Sequence, residues 1–144
     1  MGNLMNNQLL TRAAVIEFLK DRGIAPTLQR VEIGQVLFAR PQHLSADQVL
    51  AQVNGDHLRV SKATVYNTLG LFAKKGLIRE VIVNPTRVFY DTNTSAHHHF
   101  YNVDTGTLAD IDASAVTISE LPRLPDGTVA EGVDVIIRVR HQTG

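Results

Sequence analysis

The chain has no cysteine among its 144 residues. That absence excludes disulfides, thiolate catalysis and cysteine-bound zinc knuckles. No apolar run approaches the length of a membrane span. The opening MGNLMNNQLL lacks the charged region and long apolar core of a secretion signal. Its Met-Gly start does not read as a myristoylation signal, because position 6 is Asn6. The expectation is a cytoplasmic chain. Internal repeats and low-complexity tracts are also lacking. Net charge is zero, yet it is unevenly placed. Residues 1–84 carry ten Lys/Arg against six Asp/Glu, and residues 85–144 carry four against eight. A basic half followed by an acidic half suggests that the first half alone faces a polyanion.

What is present at the start reads as helices. Residues 8–22 place Leu9, Ala13, Ile16 and Leu19 or Lys20 at helical spacing, with Gly23 as the closing glycine. Thr27 is a good N-cap for a helix over 28–39, with Val31, Val36 and Leu37 inward and Pro41 ending it. Ser45 caps a third helix, and Gln48 three residues on completes a capping box. Leu44, Val49, Leu50 and Val53 supply its apolar side. Asn54-Gly55-Asp56 is a turn. Ser61 then caps KATVYNTLGLFAKKG, with Val65, Leu69 and Phe72 on one face and Gly76 at the end. Residues 77–83 and 87–91 alternate around Asn84-Pro85-Thr86 as a β-hairpin.

Short helices followed by a hairpin is the order of a winged helix-turn-helix. There, the helix before the hairpin enters the major groove and its first residues meet base edges. Arg59, Lys62, Lys74, Lys75 and Arg79 cluster where phosphates of a double-stranded operator would lie. Tyr66 suits a thymine methyl and Asn67 an adenine edge. With Arg30, Ser61 and Thr64 they make the expected DNA-binding set. The bland reading is a solvated basic helix face with Tyr66 half-buried in the core.

The second half centres on His97, His98 and His99. Phe100, Tyr101 and Val103 give the run strand character, residues 102–106 a turn, and 108–112 a returning strand. Alternation puts His97 and His99 on one face and His98 on the other. The returning strand brings Asp110 beside His99, and Asp91 lies six residues before His97. Two histidines with two carboxylates in reach outline a site for a first-row metal, rich in nitrogen and oxygen. The bland reading is a wet strand edge. Beyond, residues 113–120 allow at most a short helix, and 133–139 (VDVIIRV) form a strong strand. Three strands and one small helix make a thin core, and dimerisation would supply the rest. A two-fold dimer also suits a DNA reader. His57 reads as a solvated loop residue.

The motifs PTLQR (26–30), HLSA (43–46), ATVYNTL (63–69), FYD (89–91) and the H-x-H pair at 97 and 99 resemble the ferric uptake regulator superfamily of metal-responsive repressors. The likeness runs from about Leu10 to Arg140. It implies an α+β fold: a winged-helix DNA-binding domain over 1–91, then a small α/β dimerisation and metal-sensing domain over 92–144. It implies a homodimer that binds DNA and is not an enzyme. It implies a regulatory metal site at His43, Asp91, His97, His99 and Asp110, of which the residues themselves nominate all but His43. The family's structural zinc would need cysteines at Asn102 and Thr105 and near His141, and they are absent.

That absence and the HHHFY run look most like the iron-response branch, which senses iron or haem. The two aspartates resemble the peroxide-sensing branch. Five oxygen and nitrogen donors suit Fe(II) or Mn(II) more than four-coordinate zinc, although affinity order lets zinc enter purified protein. His98 with His141 is a candidate second metal site, or His98 a haem site. Two further readings stand beside these: a non-haem metalloenzyme, since two histidines and a carboxylate also serve oxygenases and hydrolases, and a winged-helix protein that takes no metal.

Overall fold

The computed structural model describes residues 11–143. The features read at Asn6, Leu9 and Leu10 lie outside them. The chain divides into two compact units, the first ending at Thr94 and the second starting at Ser95. The first carries helices and strands, the described residues of the second carry strands and one 3-10 turn, and the fold is α+β.

The first unit carries helices α1 (Arg12–Asp21), α2 (Leu28–Leu37), α3 (Ala46–Asn54) and α4 (Lys62–Lys74). Each begins on the side chain of a Ser or Thr that accepts from a first-turn amide: Thr11, Thr27, Ser45 and Ser61. That oxygen satisfies one of the amides a helix start leaves unpaired. The box at Ser45 is complete, because its own N–H donates to Gln48 Oε1 at 2.9 Å. Gly23 and Gly76 take positive φ just past α1 and α4, the conformation a helix stop of this kind requires.

The core of this unit gathers Val15, Leu19, Ile33, Leu37, Val49, Val65, Leu69 and Phe72. Phe38 joins it between Phe18 and Phe72, with ring centroids 5.1 and 5.9 Å away. The inward stripe of α1 is therefore Val15 and Leu19, four apart, while Ala13 is exposed. The expectation for Ala13 is corrected: Val15 is drawn in by Gly34 of α2, where an added Cβ would stand 2.7 Å from Val15 Cγ1. Helix α2 ends at Leu37, with Phe38 turned into the core as its cap residue.

Strands β2 (Arg79–Asn84) and β3 (Arg87–Asp91) form the expected hairpin. A third strand, β1 (His43–Ser45), pairs antiparallel on the other edge of β3. Three residues carry no periodicity, so this strand has no signature in the sequence.

The second unit is a three-stranded sheet. Strand β4 (His98–Asn102) pairs antiparallel with β5 (Thr107–Ile111) and parallel with β6 (Ile136–Val139). The turn between β4 and β5 rests on Asn102, whose Oδ1 accepts from the amides of Asp104 and Thr105. Asp104 Oδ2 in turn accepts the His141 N–H at 2.8 Å, tying that turn to the residues after β6. The helix allowed at 113–120 reduces to one 3-10 turn, Ala113–Ala115, capped by Asp112. The strand expected over 133–139 starts only at Ile136, because the amide of Val135 is taken by a side chain instead of the ladder. Among the described residues no helix is long and apolar enough to cross a membrane.

Candidate metal centre

Two groups of candidate ligands form, one in each unit. In the first, the β1–β3 register sets His43 opposite Asp91. His43 Nε2 lies 3.5 Å from Asp91 Oδ2. The other oxygen of this buried carboxylate accepts the Asn93 N–H at 2.8 Å, which fixes the plane of the group and turns Oδ2 to the histidine. The strand carrying His43 is itself anchored. Gln42 Nε2 donates to the carbonyls of Val36 and Leu37 at the end of α2. On the far side of Asp91, the Thr92 N–H donates to the Gln42 carbonyl at 3.2 Å, and the Gln42 N–H donates to Thr92 Oγ1 at 3.1 Å. Sequence reasoning missed Gln42 and Thr92, for which no spacing signal exists.

In the second unit, His99 stands directly opposite Asp110. Asp110 Oδ1 is 3.4 Å from His99 Nε2 and 3.4 Å from His97 Nε2. The two rings meet edge to face at 4.5 Å. Both histidines are buried and Asp110 is half exposed. His97 Nδ1 lies 2.7 Å from the Ser95 carbonyl oxygen. A carbonyl only accepts, so that nitrogen carries the ring's proton, and in the neutral ring Nε2 holds a lone pair. A lone pair and a carboxylate oxygen facing each other at this distance repel unless a cation or proton lies between them. An outer hydrogen bond from the far ring nitrogen to a carbonyl is also how metal-binding histidines are held in tautomer. Ligand atoms about 2.1 Å from one ion sit about 3.0–3.4 Å apart, a spacing that Asp110 Oδ1 already has to each of the two histidine nitrogens. The donor set fits a divalent metal.

His98 and His141 do not come together. The parallel β4–β6 register places Asn102 beside Val139. His141 thus falls beyond one end of the pair and His98 at the other, roughly 20 Å apart at strand rise. One ion cannot join them, which corrects the suggested second site. The haem reading gains no support from His98, which is buried and whose Nδ1 accepts the Val135 N–H at 3.0 Å.

Of the expected nucleic-acid residues, Arg59 to Asn67 lie just before and along the start of α4, and Arg30 lies on α2. Ser61 Oγ is engaged as the cap and bonds Thr64 Oγ1 at 2.9 Å. Lys62, Tyr66 and Asn67 are exposed, so Tyr66 is not core. The Lys62 ammonium lies 5.9 Å from the Tyr66 ring centre and 4.0 Å from Asp47. Arg59 is held more tightly, its amide by Asn54 Oδ1 and its guanidinium 3.8 Å from Glu32. Arg30 donates to the Ala25 carbonyl at 3.0 Å.

The model of the Ferric uptake regulator family matches residues 21–124. Among curated proteins, the peroxide operon regulator of Bacillus subtilis is 33% identical over 95 residues, which is 66% of each chain. The peroxide-responsive repressor PerR of Staphylococcus aureus is 29% identical over 109 residues, covering 76% of this chain and 72% of its own. Among solved structures, the ferric uptake regulator of Pseudomonas aeruginosa with manganese superposes with a TM-score of 0.66 at 26% identity, covering 90% of this chain and 98% of its own.

Proposed function

Because the chain belongs to the Ferric uptake regulator family of metal-responsive transcription regulators, we propose that it binds operator DNA as a homodimer under control of one divalent ion shared by its two units. His43 and Asp91 hold the ion from the first unit, and His97, His99 and Asp110 from the second. Residues up to Thr94 read DNA through the start of α4, and those from Ser95 form the pairing and sensing module. The observation that carries the reading is the pair of acceptors at His97 Nε2 and Asp110 Oδ1, 3.4 Å apart with the ring proton directed at Ser95. That arrangement asks for positive charge.

A bound divalent ion supplies that charge and, as ferrous iron, a reductant for peroxide. The chain's residues do the rest. The Ser95 carbonyl holds the proton of His97 on Nδ1, which leaves the ring's lone pair on Nε2. Asn93 aims the Asp91 carboxylate. Gln42 ties the strand of His43 to the end of α2, so a pull on His43 is felt by the helices that carry the reading head. Affinity for DNA then changes by as much as the ion prefers one arrangement over the other.

Five oxygen and nitrogen donors without sulfur favour Fe(II) or Mn(II). We favour peroxide as the signal. Two carboxylates among the ligands, and likeness to two peroxide regulators, support it. Iron status is the second reading, favoured by the complete lack of cysteine. Operator retention with Mn(II), and its loss on chelation, tests the shared function. Retention indifferent to chelator would refute it. Iron-loaded protein given peroxide should gain about one oxygen in mass on His43, His97 or His99. An unchanged mass would leave iron status as the signal.

A further inference from the structure

His98 sits between two candidate ligands, yet its ring is committed elsewhere. The Val135 N–H donates to His98 Nδ1 at 3.0 Å. The His99 N–H donates to the Val135 carbonyl at 3.1 Å. Both backbone groups of Val135 are thus held by consecutive residues of β4. Strand β6 begins at the next residue, Ile136, which is paired with His99. The last link before β6 is therefore fastened by an imidazole in place of a ladder bond.

The tautomer follows from the same contact. A ring nitrogen that accepts an N–H carries no proton, so in neutral His98 the proton is on Nε2. His97, next in the chain, has the opposite arrangement, with its Nδ1 proton directed at the Ser95 carbonyl. One ring presents a lone pair at Nε2 and its neighbour a proton. In His98 the Nδ1 lone pair is spent and Nε2 is protonated, so neither nitrogen is open to an ion.

Resting on the metal reading above, we propose that His98 is a positioning residue, not a ligand of a metal or of haem: through Val135 it fixes the start of β6 against β4 and so holds the backbone of His99. The His99 ring is fully buried, and β6 covers the edge of β4 opposite Asp110. Releasing Val135 frays that edge and loosens His99 while every ligand remains. Partners bonded to a ligand side chain change metal affinity by about 10- to 100-fold when lost, and a hold on the ligand's backbone belongs at the lower end of that range.

The test uses the full chain, with Mn(II) as the probe, and two variants. His98→Leu removes the acceptor and keeps apolar bulk. His98→Asn keeps an acceptor oxygen near the position of Nδ1 but has nothing at Nε2. His98→Leu should weaken Mn(II) binding about tenfold, and His98→Asn should restore it. The Val135 amide in metal-free protein should exchange fast in the Leu variant and stay protected in the Asn variant. Two results overturn the proposal: Asn binding as weakly as Leu, which would make Nε2 a ligand, or Leu binding as tightly as wild type. Should His98→Leu not fold, the Asn variant decides alone, by keeping or losing Mn(II). If the wild type takes up no Mn(II), the metal reading fails, and the Val135 exchange rates still decide the clamp. Equal protection in all chains would refute it.

Discussion

His99 and Asp110 face each other across the β4–β5 ladder, with His99 Nε2 3.4 Å from Asp110 Oδ1. The same oxygen serves His97, and the aspartate is half exposed. It can therefore be removed without opening a cavity. Asp110→Ala should lower Mn(II) affinity at least tenfold, as for a lost ligand partner. Unfolding of the metal-free chain should change by no more than about 1 kcal/mol. A Mn(II) titration and denaturant unfolding in chelator check both halves. Undiminished Mn(II) affinity would remove Asp110 from the site.

The exposed start of α4 gives a prediction of another kind. Lys62 and Tyr66 lie against each other and point away from the core that Val65 and Leu69 enter. Lys62→Ala should weaken operator binding and flatten its dependence on salt by about one unit of log–log slope, the signature of one lost phosphate contact. Tyr66→Ala should weaken binding by about 1–3 kcal/mol with the salt slope kept, if the ring meets a base. Metal content should be unchanged in both. Unaltered affinity in both variants would mean that α4 is not the reading helix.

Tyr90 supplies a pH prediction. Burial raises its hydroxyl pKa above 10.0, and Glu80, its cross-strand partner, and Tyr66 add to the shift. The folded chain then keeps a proton that the unfolded chain releases above about pH 10. Stability is intact below the unfolded value and is lost as pH rises through the folded one. Tyr90→Phe removes this contribution, so its unfolding free energy should fall less between about pH 9 and about pH 11. Urea unfolding across that range measures it. Parallel curves for the two proteins would show that Tyr90 does not govern the alkaline loss.

The legible parts of this fold are those with a local cause. Ser45 with Gln48, Ser61, Gly23 and Gly76 mark helix ends by side-chain and backbone chemistry that acts within four residues. The hairpin turn at 102–106 set Asp110 opposite His99 by counting alone. What escaped depends on partners far along the chain. His43 meets Asp91 through a three-residue strand paired with β3, whose partner residues lie 44 to 48 positions away in sequence. The Ser95 carbonyl that orients His97 is a backbone group, invisible to any motif. For His98, alternation tells which face the strand residue takes, not that the Val135 N–H donates to its ring. The inward face of α1 has a distant partner too, since Val15 packs closely against a glycine of another helix.

That glycine can be tested. Gly34 lies inside α2 and shows no positive φ, so backbone freedom does not demand it. On helix propensity alone, Gly34→Ala should stabilise by about 1 kcal/mol. Packing argues the other way. The new Cβ would stand 2.7 Å from Val15 Cγ1, closer than van der Waals contact allows. Val15 is wholly buried and, being β-branched, has little rotamer freedom with which to move. Overpacking of this kind costs about 1–3 kcal/mol, enough to cancel or exceed the propensity gain. Gly34→Ala should therefore leave stability unchanged or lower it by up to about 2 kcal/mol. Val15→Ala placed in the same chain should cost less than Val15→Ala does alone, because it clears the space the new methyl fills. Denaturant unfolding of the four chains gives the coupling directly. A stabilised single variant, or two changes that simply add, would show that α1 and α2 do not depend on this contact.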